Sequence, residues 1–114
     1  MWLCFNDAFI SVVKDRQSDC LVVRARSFEH LARLFPRDRI VETPDADYGW
    51  RVFANRDEIA DILARRIRTI DYTNFKNSVR EPMLKRLYER FWLDHFNYQR
   101  LRRASRGERR DRRT

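Results

Sequence analysis

The first 26 residues hold three short runs of aromatic and β-branched residues, each closed by a polar turn, and this constrains the fold more than any other feature. Residues 2–5 (WLCF) and 9–13 (FISVV) flank Asn6-Asp7-Ala8, a spacing that predicts a tight hairpin. After a polar turn at 14–19 (KDRQSD), residues 20–26 (CLVVRAR) alternate as a strand. Leu21, Val23 and Ala25 fall on one face, with Val22, Arg24 and Arg26 on the other. Strands joined this closely pair as an antiparallel meander.

Helical periodicity follows. Ser27 is placed as an N-cap with Glu29 in the first turn, and Phe28, Leu31, Leu34 and Phe35 recur at helical spacing up to Pro36. Residues 39–43 (RIVET) and 48–54 (YGWRVFA) read as strands around the turn Pro44-Asp45-Ala46-Asp47. Asn55 and Glu58 form a variant capping box for an amphipathic helix whose stripe is Ile59, Ile62, Leu63, Ile67 and Ile70. A loop or short helical turn spans 71–79, and Pro82 opens a last helix with the stripe Leu84, Leu87, Tyr88, Phe91, Trp92, His95 and Tyr98, which frays near Ser105-Arg106-Gly107. The expectation is an α+β fold: a small antiparallel sheet of about five strands in β-β-β-α-β-β-α-α order, with helices on one face. With 114 residues there is room for one domain, assigned to residues 1–99, and an Arg-rich C-terminal tail at 100–114.

The charge belongs to that tail. The chain has 25 Lys plus Arg against 17 Asp plus Glu, a net +8. Residues 100–114 contain eight Arg and two acids, a net +6, which leaves +2 for residues 1–99. Of the basic residues 22 are Arg and three are Lys, a bias that suits phosphate or carboxylate partners and that a GC-rich genome also produces. Arg100, Arg102, Arg103, Arg106, Arg109, Arg110, Arg112 and Arg113 are therefore the candidate phosphate contacts. Arg24, Arg26 and Arg51 on the open sheet face are candidate secondary ones. The loop Asp71–Asn77 carries aromatics among polar residues, so Tyr72, Asn74 and Lys76, with Trp92, are candidate partner contacts.

Several chemistries are disfavoured. Only two glycines are present, Gly49 and Gly107, neither in a phosphate-cradling loop. Cys4, Cys20, His30 and His95 are scattered and lack metal-ligand spacing, so no metal site is expected. A Cys4–Cys20 disulfide between neighbouring strands is geometrically open, but a chain with its own core and no secretion signal points to a reducing compartment. Asp45, Asp47 and Asp71 read as turn and cap residues rather than cation ligands. No catalytic residues and no cofactor are expected. No stretch of about 18 apolar residues suggests a membrane span, and a cytoplasmic location is expected.

One resemblance adds context. Met1-Trp2-Leu3, residues 9–13 (FISVV), 21–26 (LVVRAR), Phe35-Pro36, 43–48 (TPDADY), Arg51-Val52 and 70–76 (IDYTNFK) together resemble a family of small, uncharacterised proteins met in phages, prophages, plasmids and bacterial chromosomes. The resemblance covers roughly residues 1–98 and implies a mobile-element context, with no established activity or cofactor. Three functions are weighed: a non-catalytic protein binding nucleic acid or a nucleoprotein through the tail; an inhibitor of a host protein complex, of the anti-CRISPR kind; and, least favoured, a small enzyme. Phe91, Trp92 and Tyr98 offer more apolar surface than one small sheet covers, which also allows a homodimer.

Overall fold

The computed structural model describes the backbone of residues 1–113 and the side chains of residues 1–107. Five strands and four helices follow in the order β1 (Trp2–Cys4), β2 (Phe9–Lys14), β3 (Leu21–Ala25), α1 (Phe28–Ala32), β4 (Val41–Glu42), β5 (Trp50–Ala54), α2 (Arg56–Arg68), α3 (Phe75–Ser78) and α4 (Pro82–Arg113). The strands form one antiparallel sheet in the order β1-β2-β3-β5-β4. This is the α+β class that the strand and helix patterns imply.

The register puts the meander together as its alternation requires. Ser11 pairs with Trp2 on one side and with Arg24 on the other, and Val23 pairs with both Val12 and Val52. The Asn6–Ala8 turn closes when the Phe5 N–H donates to the Ala8 carbonyl at 2.8 Å. On one sheet face Ile10, Val12, Val23, Ala25, Val52 and Ala54 are buried under Leu31 and Phe35 of the α1 region and Ile59 and Ile62 of α2. On the opposite face Phe9 is buried with Val79, Leu84 and Tyr88, against Phe75 and Phe91. The helices therefore divide between both faces instead of sharing one. The cause is the alternation of β2, which sends Ile10 and Val12 to one side and Phe9 to the other, so each face presents apolar surface that needs its own cover.

Local chemistry places the ends of the elements. Asn55 caps α2 by accepting the Glu58 N–H at 2.9 Å, while the Glu58 carboxylate is drawn away to pair with Arg39 instead of closing the capping box. Arg39 also donates to the Phe53 carbonyl at 2.9 Å; it ends a 3₁₀ turn, Arg37–Arg39, that replaces the start of the expected strand at 39–43. Ser27 holds the N-cap position of α1 but its side chain makes no capping bond, and the helix ends at Ala32 rather than running to Pro36. Ile67 and Ile70, expected in the buried stripe of α2, are exposed; α2 ends at Arg68, so Ile70 lies past the helix. Glu81 caps α4 by accepting the N–H groups of Met83 at 3.0 Å and Leu84 at 2.6 Å, and these two bonds hold its carboxyl below the usual range.

The α4 helix continues through Ser105-Arg106-Gly107 to Arg113 without the expected fraying, and no break separates residues 99 and 100. A lone Gly disfavours helix by about 1 kcal/mol, and the Arg, Ala and Glu around it are good formers. A helix of 32 residues is about 48 Å long, which accounts for the elongated 62 × 35 × 31 Å outline.

Arg66 pairs with Asp7 at 2.6 Å, and two further groups, Tyr88 and His30, also join the helices to the β1–β2 hairpin. The buried Tyr88 hydroxyl lies 2.8 Å from the Phe5 carbonyl oxygen and 2.9 Å from that of Ala8 and donates into that pair; burial pushes its phenol well up. His30 Nδ1 accepts the Phe9 N–H at 3.2 Å, and burial lowers its pKa. Tyr88→Phe is expected to lower unfolding free energy by about 1–2 kcal/mol in a urea titration, with the secondary structure retained. The depressed His30 pKa means the unfolded state takes up its proton first. Stability should therefore fall as pH drops below about 6.5, and His30→Gln should flatten that part of the stability–pH curve.

Candidate nucleic-acid interface

Among the described residues, only the first turns of α4 bury side chains against the body. Leu84 and Tyr88 are buried and Phe91 is half-buried, whereas every side chain from Trp92 to Ala104 is exposed. The stripe predicted for burial runs past the edge of the sheet. Beyond that edge Trp92 is 51% and Tyr98 64% exposed, and Leu93, Phe96 and Leu101 are exposed with them.

Where α4 leaves the sheet, it meets α3 and forms a groove of about 440 Å³. Phe75, Tyr88, Phe91 and Trp92 wall it, with Asn74, Lys76, Cys4 and His95 around them. The rings form a continuous set: Phe75 to Tyr88 at 5.2 Å, Tyr88 to Phe91 at 6.0 Å, and Trp2 stacked on Phe91 at 6.4 Å. The Lys76 ammonium lies 4.2 Å from the Trp92 ring centroid, and Phe96 stacks on Trp92 at 5.4 Å, nearly parallel. Asn74 caps α3 by accepting the Asn77 N–H at 3.1 Å, which leaves its amide N–H₂ free to donate into the groove. Burial pushes the Cys4 thiol up, so it stays protonated.

Three of the four candidate partner contacts, Asn74, Lys76 and Trp92, thus line one groove. Tyr72 packs on Phe75 at 5.8 Å but turns into a neighbouring depression with Leu3, Phe5, Ile67 and Ile70. His95, which pattern alone assigns to an apolar stripe, is exposed and lines the groove; Tyr88, Phe91 and Phe75 were legible only as core residues.

Past the groove, His95, Tyr98, Gln99, Arg102, Arg103 and Arg106 share a second concave surface along α4. At about 100° per residue, Tyr88, Phe91, Trp92, His95, Gln99, Arg102, Arg103 and Arg106 fall within an arc of about 120°. His95 belongs to both surfaces, and neither is lined by a carboxylate. Glu89 and Asp94 lie outside the arc. Arg100 sits to one side, its guanidinium 6.0 Å from the Phe96 ring. The side chains of Arg109, Arg110, Arg112 and Arg113 lie outside the described residues.

The sheet arginines are brought together differently. Arg24 and Arg26 lie 4.5 and 4.3 Å from the centroid of the buried Tyr48 ring. Arg24 donates to Ser11 Oγ at 2.8 Å, Arg26 to the Asp47 carbonyl at 2.8 Å, and Arg51 is 3.9 Å from the Asp47 carboxylate. They lie over the buried Tyr48 ring, so their first task is packing. Asp47 also accepts the Tyr48 N–H at 3.0 Å, a turn role. Among the described residues no group of three His, Cys, Asp or Glu is placed to hold a metal ion, and no helix is long and apolar enough to cross a membrane.

Comparison of the chain with family models, with curated proteins and with solved structures finds no match. Function must come from this geometry.

A Cβ at Gly107 meets nothing within 4 Å. Gly107→Ala is therefore expected to raise helix content in the far-ultraviolet circular dichroism spectrum and to stabilise the last turns by about 1 kcal/mol. A loose tail would show no change.

Proposed function

We propose that this protein binds nucleic acid without catalysis, using the projecting part of α4 as a rigid basic arm. One observation carries the proposal: the Arg-rich segment is a continuation of a packed helix, and the face it presents holds Arg102, Arg103 and Arg106 with no carboxylate. Arginine forks pair bidentately with phosphate, and such contacts bring affinity rather than sequence specificity. Like charges three and four residues apart on a helix repel, so a polyanion that neutralises them also stabilises the arm. Arg24, Arg26 and Arg51 are secondary contacts at most, since their guanidiniums already serve Tyr48, Ser11 and Asp47. Free thiols at Cys4 and Cys20 support a reducing compartment such as the cytoplasm, in keeping with the mobile-element resemblance.

A second function has an observation of its own. Leu93 and Leu101 are 50% and 70% exposed on α4, and phosphate contact does not call for them. They favour a protein partner, as an inhibitor of a host complex would require.

The two separate in one experiment. Replacing Arg102, Arg103 and Arg106 together by Gln, which preserves helix propensity, should weaken binding to short DNA or RNA at least about tenfold at physiological salt. It should also reduce the slope of log K against log salt by about 2. Unchanged affinity and slope in fluorescence anisotropy would contradict the proposal, and partner capture lost instead on Leu93→Ser and Leu101→Ser would favour the inhibitor.

A further inference from the structure

The groove between α3 and α4 lies apart from the arginine surface, yet it opens onto the same face of α4 as the arginines. We infer that it takes one unstacked base of a single-stranded nucleic acid, with Lys76 meeting that nucleotide's phosphate and the flanking strand following the Arg102–Arg106 face. This rests on the nucleic-acid function proposed above and specifies the form of the ligand.

Four features support it. The groove's volume of about 440 Å³ lies within the range of small-ligand pockets and suits a base with its sugar. Its walls are aromatic faces, on which any base stacks regardless of sequence. Its polar groups are donors and a cation, the Asn74 amide and the Lys76 ammonium, and it contains no carboxylate to repel a phosphate. His95 joins the groove to the arginine surface, so a strand leaving the groove enters a basic track without crossing an acidic residue. From Trp92 to Arg106 the axial distance is about 21 Å, a run of several nucleotides.

A duplex cannot use this site, because its bases are already stacked on both faces. A second copy of α4 packed in parallel would bring arginine against arginine along the same track. The position of Lys76 also fits the inferred exchange. Its ammonium rests at 4.2 Å on a Trp92 ring that is half exposed, with Lys76 itself half-buried, a contact that a phosphate can draw away, leaving the ring to a base.

The test compares an oligothymidylate of about 12 nucleotides with a DNA duplex of the same length, using the full chain at physiological salt. Trp92 is half exposed, so Trp92→Ala should fold. The wild type should bind the single strand at least about tenfold tighter than the duplex, with quenching of tryptophan fluorescence. Trp92→Ala should weaken single-strand binding about tenfold while duplex binding stays within about twofold; Trp92→Phe should recover most of the affinity but lose the quenching. Lys76→Gln should weaken the single strand by a smaller factor. Equal loss on both ligands, or no loss on either, overturns the groove assignment and leaves arm-based binding standing. Failure of the wild type to bind any nucleic acid overturns both. Self-association in sedimentation velocity that Trp92→Ala abolishes assigns the groove to a second copy and overturns the inference.

Discussion

The Tyr88 hydroxyl, seated between the carbonyls of Phe5 and Ala8, is the contact on which the rest of the molecule's outline depends. It joins the turn of the first hairpin to the second turn of a helix of 32 residues. Around it Phe9, Val79 and Leu84 exclude water, and Phe75 and Phe91 close the edges. Beyond Phe91 the exposed Trp92 still meets Lys76 of α3, but no described side chain farther along α4 is buried, so a short aromatic clamp holds a long lever. A clamp this short must be specific, and a buried phenol with two carbonyl neighbours is more directional than a leucine would be.

The sheet explains why the clamp sits where it does. Its aliphatic face is filled by α1 and α2, which leaves the Phe9 face to the second pair of helices. That cover is incomplete. The far half of the face, around Tyr48, is closed by Arg24 and Arg26 lying over the ring rather than by another helix. Arginine serves here as a packing residue, which is one reason a high arginine count in the body of this chain says little about its ligands.

Much of the sheet was legible in the sequence. The alternation in 20–26, the turn at Asn6–Ala8 and the Asn55 cap are local signals, and each corresponds to an element that forms. Three features were not legible, for physical reasons. Division of the helices between two faces depends on Phe9, a single residue in a run apolar on both sides. The length of α4 depends on tolerance of Gly107 inside good helix formers, where a glycine reads equally well as an end. The groove needs Asn74 and Lys76 brought against Trp92 across a turn, a proximity no spacing rule encodes. His95 shows the same limit: helical periodicity places it on the buried stripe, but periodicity does not say where the sheet stops.

Separating body from arm also separates stability from the function proposed for the arm. The core is balanced in charge and closed by apolar contacts, while the arm concentrates the net charge and keeps Trp92, Phe96 and Tyr98 exposed at its root. Backbone amide shifts of the ¹⁵N-labelled full chain, recorded during titration with a short oligothymidylate, test this division most directly. Perturbations should concentrate at residues 74–76 and 91–106 and leave the sheet unmoved. Shifts centred on Arg24, Arg26 and Arg51, with α4 silent, would contradict it.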